Sequence, residues 1–163
     1  MVSSMQGRFE EATLAILVAM VMDILDGRVA RLTNTQSAFG AEYDSLSDMV
    51  SFGVAPALVM FNWSLASLGK FGWAVCFIYV AGAAVRLARF NTMAESDDKN
   101  YFTGVASPAA AASVACAVWL CLDLGYTADT LPDWIDILLA IMTAAYGFLM
   151  VSNFKYVSFK GVD

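Results

Sequence analysis

Four aspartates stand at fixed spacing within otherwise apolar sequence: Asp23 and Asp26, then Asp44 and Asp48. Read as helix, Asp23, Asp26, Gly27, Ala30 and Arg31 fall at i, i+3, i+4, i+7 and i+8 and share one face. Gly40, Asp44, Ser47, Asp48 and Ser51 share a face of the next segment in the same way. Two such faces turned toward each other gather four carboxylates around a small volume lined by Gly and Ala, a cation site with room for a ligand. In a membrane each mid-helix aspartate costs about 2.5 to 3.5 kcal/mol, on the order of 10 kcal/mol for the set if unpaired. Divalent cations supply the compensation. An all-oxygen ligand set in a chain without histidine suits the hard ions Mg²⁺ or Mn²⁺. Helical rise separates Asp23 from Asp26 by about 4.5 Å and Asp44 from Asp48 by about 6 Å. Two metals about 3.5 to 4 Å apart fit that geometry, and such pairs grip phosphate oxygens during displacement at phosphorus. Arg31, one turn beyond Gly27, is placed to hold a phosphate.

The elements that must carry these residues follow from composition. The chain has 163 residues, of which 60% are hydrophobic and 15% charged, and a mean hydropathy of +0.65. Soluble domains are less apolar and more charged, so the excess points to the bilayer. The predicted class is all-α: a polytopic transmembrane helical bundle, one domain over residues 1–163. Five spans are predicted, over about 9–29, 37–64, 71–90, 109–124 and 134–152, with a kink at Pro56 in the second. Polar stretches separate them: a turn at Thr33, Asn34 and Thr35, a loop over 95–100, and an acidic turn over 125–132. Small residues in the fourth span permit close backbone approach. Cys76, Cys116 and Cys121 lie in apolar runs without metal-ligand spacing and read as small packed side chains. The net charge of −6 comes from the motif and two short connections, and no nucleic-acid partner is expected.

Arg28, Arg31, Arg86, Arg89, Lys99, Lys155 and Lys160 all belong to one side of this arrangement, leaving Arg8 and Lys70 on the other. The positive-inside rule then turns the aspartate motif to the cytoplasm. The same count places the N-terminus outside, although residues 1–7 contain no basic leader, so an upstream span is expected to be missing. The tail, with Lys155, Lys160 and interleaved aromatics, reads as an interfacial anchor. Arg86 and Arg89 sit one turn apart at the end of the third span. They can snorkel to headgroups, or face the cavity and bind an anion with their planar forks. Asn91 and Ser107 are weaker candidates. Asp is favoured near helix N-termini, which explains Asp44 as a solvated residue but not Asp23, at the end of a span where the helix dipole disfavours negative charge. Glu42, outside the pattern, reads as solvated.

The pattern Asp-x2-Asp-Gly-x2-Ala-Arg-x8-Gly-x3-Asp-x3-Asp, complete from Asp23 to Asp48, resembles the signature of the CDP-alcohol phosphotransferase family. That resemblance implies an integral membrane enzyme, usually a homodimer, that moves a phosphatidyl or related group from a CDP-linked donor to an alcohol and releases CMP. It implies that Asp23, Asp26, Asp44 and Asp48 hold the metals, that Asp48 is also general base, and that Gly27, Ala30, Arg31 and Gly40 receive the CDP moiety. Residues 39–56, Arg86-Leu-Ala-Arg89-Phe-Asn91, and residues 102–110 and 151–160 are similar to the serine-accepting branch. The implied substrates are CDP-diacylglycerol and L-serine, with membrane lipid around them and Arg86 or Arg89 at the acceptor or the lipid phosphate. Members usually have six spans, the first with a Pro-Asn-x-x-Thr element that is absent here, and Val157 stands where the serine branch commonly has proline. Two other readings are open. Glycerol 3-phosphate or inositol phosphate as acceptor would call for Arg86, Arg89 and Lys155 in one pocket. A divalent-cation transporter would use the same acidic site, but an arginine beside a cation path repels the ion.

Overall fold

The computed structural model of the chain describes residues 1–33, 37–94, 101–152 and 155–157. The expected turn at Asn34 and Thr35, the loop over 95–100 and Lys160 lie outside the described residues.

A short helix α1 (Val2–Met5) leads into α2 (Phe9–Thr33). Glu10 and Glu11 occupy the first turn of α2, where negative charge meets the positive helix end. The buried Thr13 hydroxyl donates back to the Phe9 and Glu10 carbonyls, both at 3.0 Å, so this hydroxyl is satisfied in the interior. Helix α3 (Ala38–Asp48) starts at Ser37, whose Oγ accepts the Gly40 amide at 3.0 Å, an ordinary N-cap.

The predicted second span is one continuous helical rod, but its irregularity precedes Pro56. Residues Met49–Val54 form a π-helical turn, and α4 (Ala55–Trp63) begins with Pro56 in its first turn. The physical reason is local. A proline offers no amide to the carbonyl four residues back, and its ring crowds that carbonyl. Here that position is Phe52, and the buried Tyr79 hydroxyl donates to its carbonyl at 3.1 Å. A 3₁₀ turn (Leu65–Leu68) and Gly69, at φ 56°, then reverse the chain into α5 (Lys70–Ala94).

Helices α6 (Ser107–Asp123) and α7 (Asp133–Val151) complete the bundle. Helix α6 packs against α2 and α4, and its Ala110, Ala111, Val114, Ala115 and Val118 are fully buried, the close approach that small residues permit. Helices α5 and α7 form the most extensive helix pair. A Cβ on Gly82 would strike the Gly147 carbonyl, and one on Gly147 would strike that of Ile78. Where α4 ends and α7 begins, Asp136 is 6% exposed and accepts the hydroxyls of Ser64 and Ser67. Sequence reading passed over Asp136 because a first-turn acid is ordinarily solvated.

Two three-residue segments expected as loop and tail are strands instead. β1 (Tyr101–Thr103) pairs antiparallel with β2 (Lys155–Val157), with Tyr101 opposite Val157. Gly104, at φ 78°, turns the chain tightly under α7, and the Val105 amide donates to the Leu149 carbonyl at 3.3 Å. The chain on either side of the fourth and fifth helices is thereby brought side by side, which lets the backbone pair.

Among the described residues three helices are long and apolar enough to cross a membrane: Phe39–Trp63, Lys70–Thr92 and Asp133–Val151. The fourth predicted span, Ser107–Asp123, is a shorter apolar helix. The first, α2, carries Glu10, Glu11, Asp23, Asp26 and Arg28. Large apolar side chains such as Leu14, Val18, Phe77, Ile141 and Phe148 are exposed on the outside of the bundle, where hydrocarbon is the natural neighbour. The chain is an all-α integral membrane bundle.

Candidate active site

Helix α2 presents Asp23 and Asp26 near its C-terminal end, and α3 presents Asp44 and Asp48. Carboxylate oxygens of Asp23, Asp26 and Asp44 all lie within 4.8 Å of one another. Among the described residues this is the one cluster of potential metal ligands. Asp23 is half-buried, and Asp26 and Asp44 are exposed. Asp48, also half-buried, stands outside the triplet, one turn beyond Asp44 on α3. Like charges at this distance repel unless a cation sits among them. The all-oxygen donors fit a hard divalent ion.

Gly27 is half-buried and Gly40 exposed, and a Cβ on Gly40 would come within 3.1 Å of the capping Ser37 Oγ. The backbone of Ala30 and Arg31 continues α2, but their side chains lie outside the described residues.

Arg86 and Arg89 have different surroundings. Arg86 is the cationic side chain whose charge acts on Asp48. Its Nη1 donates to the Oγ of Ser107 at 3.0 Å, and Ser107 is itself fully buried. The Arg86 Nε–H is buried without an acceptor among the described residues. Arg89 Nη1 instead donates to the Val151 carbonyl at 3.1 Å, at the end of α7, a usual place for a cation to meet orphan carbonyls. Asn91 reaches Ser45, next to Asp44. The side chain of Lys155 lies outside the described residues, so a pocket joining it to both arginines is not part of the described site.

A cluster of carboxylates alone is common. This one has an arginine, Arg86, near enough for its charge to be felt at Asp48, which suits a site that receives an anion as well as a cation.

The chain is similar to proteins of known name. One is a CDP-diacylglycerol--serine O-phosphatidyltransferase of Helicobacter pylori, 41% identical over 155 residues, which are 95% of this chain and 64% of the relative. Another with that name, from Methanocaldococcus jannaschii, is 38% identical over 86% of this chain and 61% of its own length. A third, from Saccharomyces cerevisiae, is 38% identical over 76% of this chain and 46% of its own. The chain thus spans less than two thirds of the length of these relatives. The family model for CDP-alcohol phosphatidyltransferase matches residues 1–151. With that match across both aspartate-bearing helices and the bundle that holds them, the chain belongs to the CDP-alcohol phosphatidyltransferase family.

Proposed function

We propose that this protein transfers the phosphatidyl group of CDP-diacylglycerol to the hydroxyl of L-serine, giving phosphatidylserine and CMP. The observation that carries the reading is the convergence of Asp23, Asp26 and Asp44, beside Asp48, in a chain 38% to 41% identical to serine phosphatidyltransferases. Asp23, Asp26, Asp44 and Asp48 would hold Mg²⁺ or Mn²⁺. Bound there, divalent ions neutralise the donor diphosphate and the charge that grows on CMP as it leaves.

The chain's own residues do the rest. Gly27, Ala30, Arg31 and Gly40 receive the CDP moiety, with Arg31 against the diphosphate. Asp48 takes the proton from the serine hydroxyl as its oxygen bonds to the phosphatidyl phosphorus, and the bond from that phosphorus to the bridging oxygen breaks to free CMP. Arg86 takes the serine carboxylate. Its unpartnered Nε–H is the donor such an anion satisfies, and the Ser107 contact holds the guanidinium plane for a forked bond. The opening faces the cytoplasm by the distribution of basic residues. The acyl chains of the donor remain in the surrounding lipid, and a homodimer is proposed on the family resemblance.

The test is CMP release by the purified protein in detergent with CDP-diacylglycerol, Mg²⁺ or Mn²⁺, and L-serine, glycerol 3-phosphate or inositol in turn, beside Asp48→Asn. Serine-dependent release that Asp48→Asn abolishes is the expected result. Release with a different alcohol alone would keep the chemistry and overturn the serine assignment. Cation flux into liposomes with no need for nucleotide would overturn both.

A further inference from the structure

Helix α3 carries Asp44 and Asp48 yet has little packing of its own. Phe39, Tyr43 and Leu46 are exposed, and its main neighbour is the π-helical turn into which it runs. A metal site shared between α2 and α3 needs their carboxylates held at fixed separation, since a misplacement of about 1 Å is costly in a preorganised site. Something other than α3's own apolar contacts must fix it.

The polar tie is between Ser45 and Asn91. The Asn91 Nδ2–H donates to Ser45 Oγ at 3.0 Å. The Ser45 hydroxyl has the Ala41 carbonyl at 3.1 Å and the Asn91 Oδ1 at 3.2 Å as acceptors for its one proton, so the asparagine is tied to it whichever of the two it serves. Ser45 directly follows Asp44 and precedes Asp48 by less than one turn. Asn91 stands on the last turns of α5, a stretch anchored on two further sides. Arg86 is tied to Ser107 at the start of α6, and Arg89 to Val151 at the end of α7. The end of α5 is thus a fixed post, and among the described residues Asn91 carries its side-chain hydrogen bonds to the helix bearing the second pair of aspartates.

We infer that Asn91 is a positioning residue of the metal site: through Ser45 it holds α3 against α5 so that Asp44 and Asp48 close on Asp23 and Asp26. The inference rests on the metal-binding reading proposed above. It assigns Asn91 an effect on metal affinity and none as a ligand, because its amide group is engaged with Ser45.

Mn²⁺ binding to the purified protein in detergent, followed by electron paramagnetic resonance without substrate, separates these roles. Parent, Ser45→Ala, Asn91→Ala and the double variant are compared, with thermal denaturation of each without metal. Both single substitutions should weaken Mn²⁺ binding about 10-fold, the effect of a lost outer-shell partner. The double variant should be no weaker than either single one, and the melting temperatures should stay together. Parent-like Mn²⁺ binding by Asn91→Ala, or additive losses in the double variant, would overturn the positioning role. A parent protein that binds no Mn²⁺ would instead overturn the metal reading, and the positioning role with it.

Discussion

The Tyr79 hydroxyl on α5 donates to the Phe52 carbonyl at 3.1 Å, four residues before Pro56 and inside the π-helical turn. Both residues are buried, so no water can take the place of this bond. Tyr79→Phe keeps the ring and removes only the donor. It should lower stability by about 1 to 3 kcal/mol, the cost of a buried carbonyl left without a partner, read as a lower melting temperature in detergent. An unchanged melting temperature would mean that the turn holds without the tyrosine.

The three clustered aspartates predict a strict need for divalent metal. Asp23→Asn, Asp26→Asn and Asp44→Asn should each reduce CMP release about 100-fold or more, a loss of ~3 kcal/mol in transition-state stabilisation. A chelator should abolish release by the parent protein, and added Mg²⁺ or Mn²⁺ should restore it. Full activity in chelator would remove the metal from the mechanism.

Gly82 and Gly147 set how closely α5 and α7 approach. In Gly82→Ala the new methyl meets a backbone carbonyl that cannot move aside, so the pair must separate, at about 1 to 3 kcal/mol. In Gly53→Ala the new methyl meets the Met49 Sδ at 3.1 Å and the Ala83 Cβ at 3.3 Å, and the methionine end can yield. Thermal denaturation should therefore rank Gly82→Ala well below Gly53→Ala. The reverse order would contradict the packing described.

Asp136 lies at the opposite end of α7 from the contact with Arg89, far along the bundle from the aspartate cluster. Asp136→Ala removes the acceptor of two serine hydroxyls and should cost about 1 to 3 kcal/mol of stability. CMP release per folded molecule should be unchanged. A loss of turnover at full stability would give Asp136 a functional role that its position does not suggest.

Much of this arrangement is legible in the sequence, because the strongest signals there are also the most local. Apolar runs place each of the five expected spans on a helical stretch to within a few residues, three of them long and apolar enough to cross a membrane among the described residues, and the i, i+3 spacing of Asp23 and Asp26 puts both on one face. Convergence of Asp23 and Asp26 on Asp44 follows from the fixed spacing on two successive helices. What escapes depends on partners distant in sequence. The burial of Asp136 is set by Ser64 and Ser67, and the pairing of Tyr101 with Val157 joins segments on either side of two helices. Arg86 and Arg89 look alike one turn apart, and only their neighbours, Ser107 with Asp48 for one and the Val151 carbonyl for the other, separate them. The π-helical turn has a proline as its cue, but the proline alone predicts a kink at its own position.

The turn over Met49–Val54 also fixes angular phase. A helix advances about 100° per residue, so a widened turn between α3 and α4 acts as a dial between the packed half of the rod and the half that bears Asp44 and Asp48. Were the same residues wound as regular α-helix with every apolar contact of α4 intact, the two aspartates would swing by roughly that angle away from Asp23 and Asp26. The bundle would survive such a rewinding far better than the chemistry would. In this stretch of chain the width of one turn decides where the aspartates point.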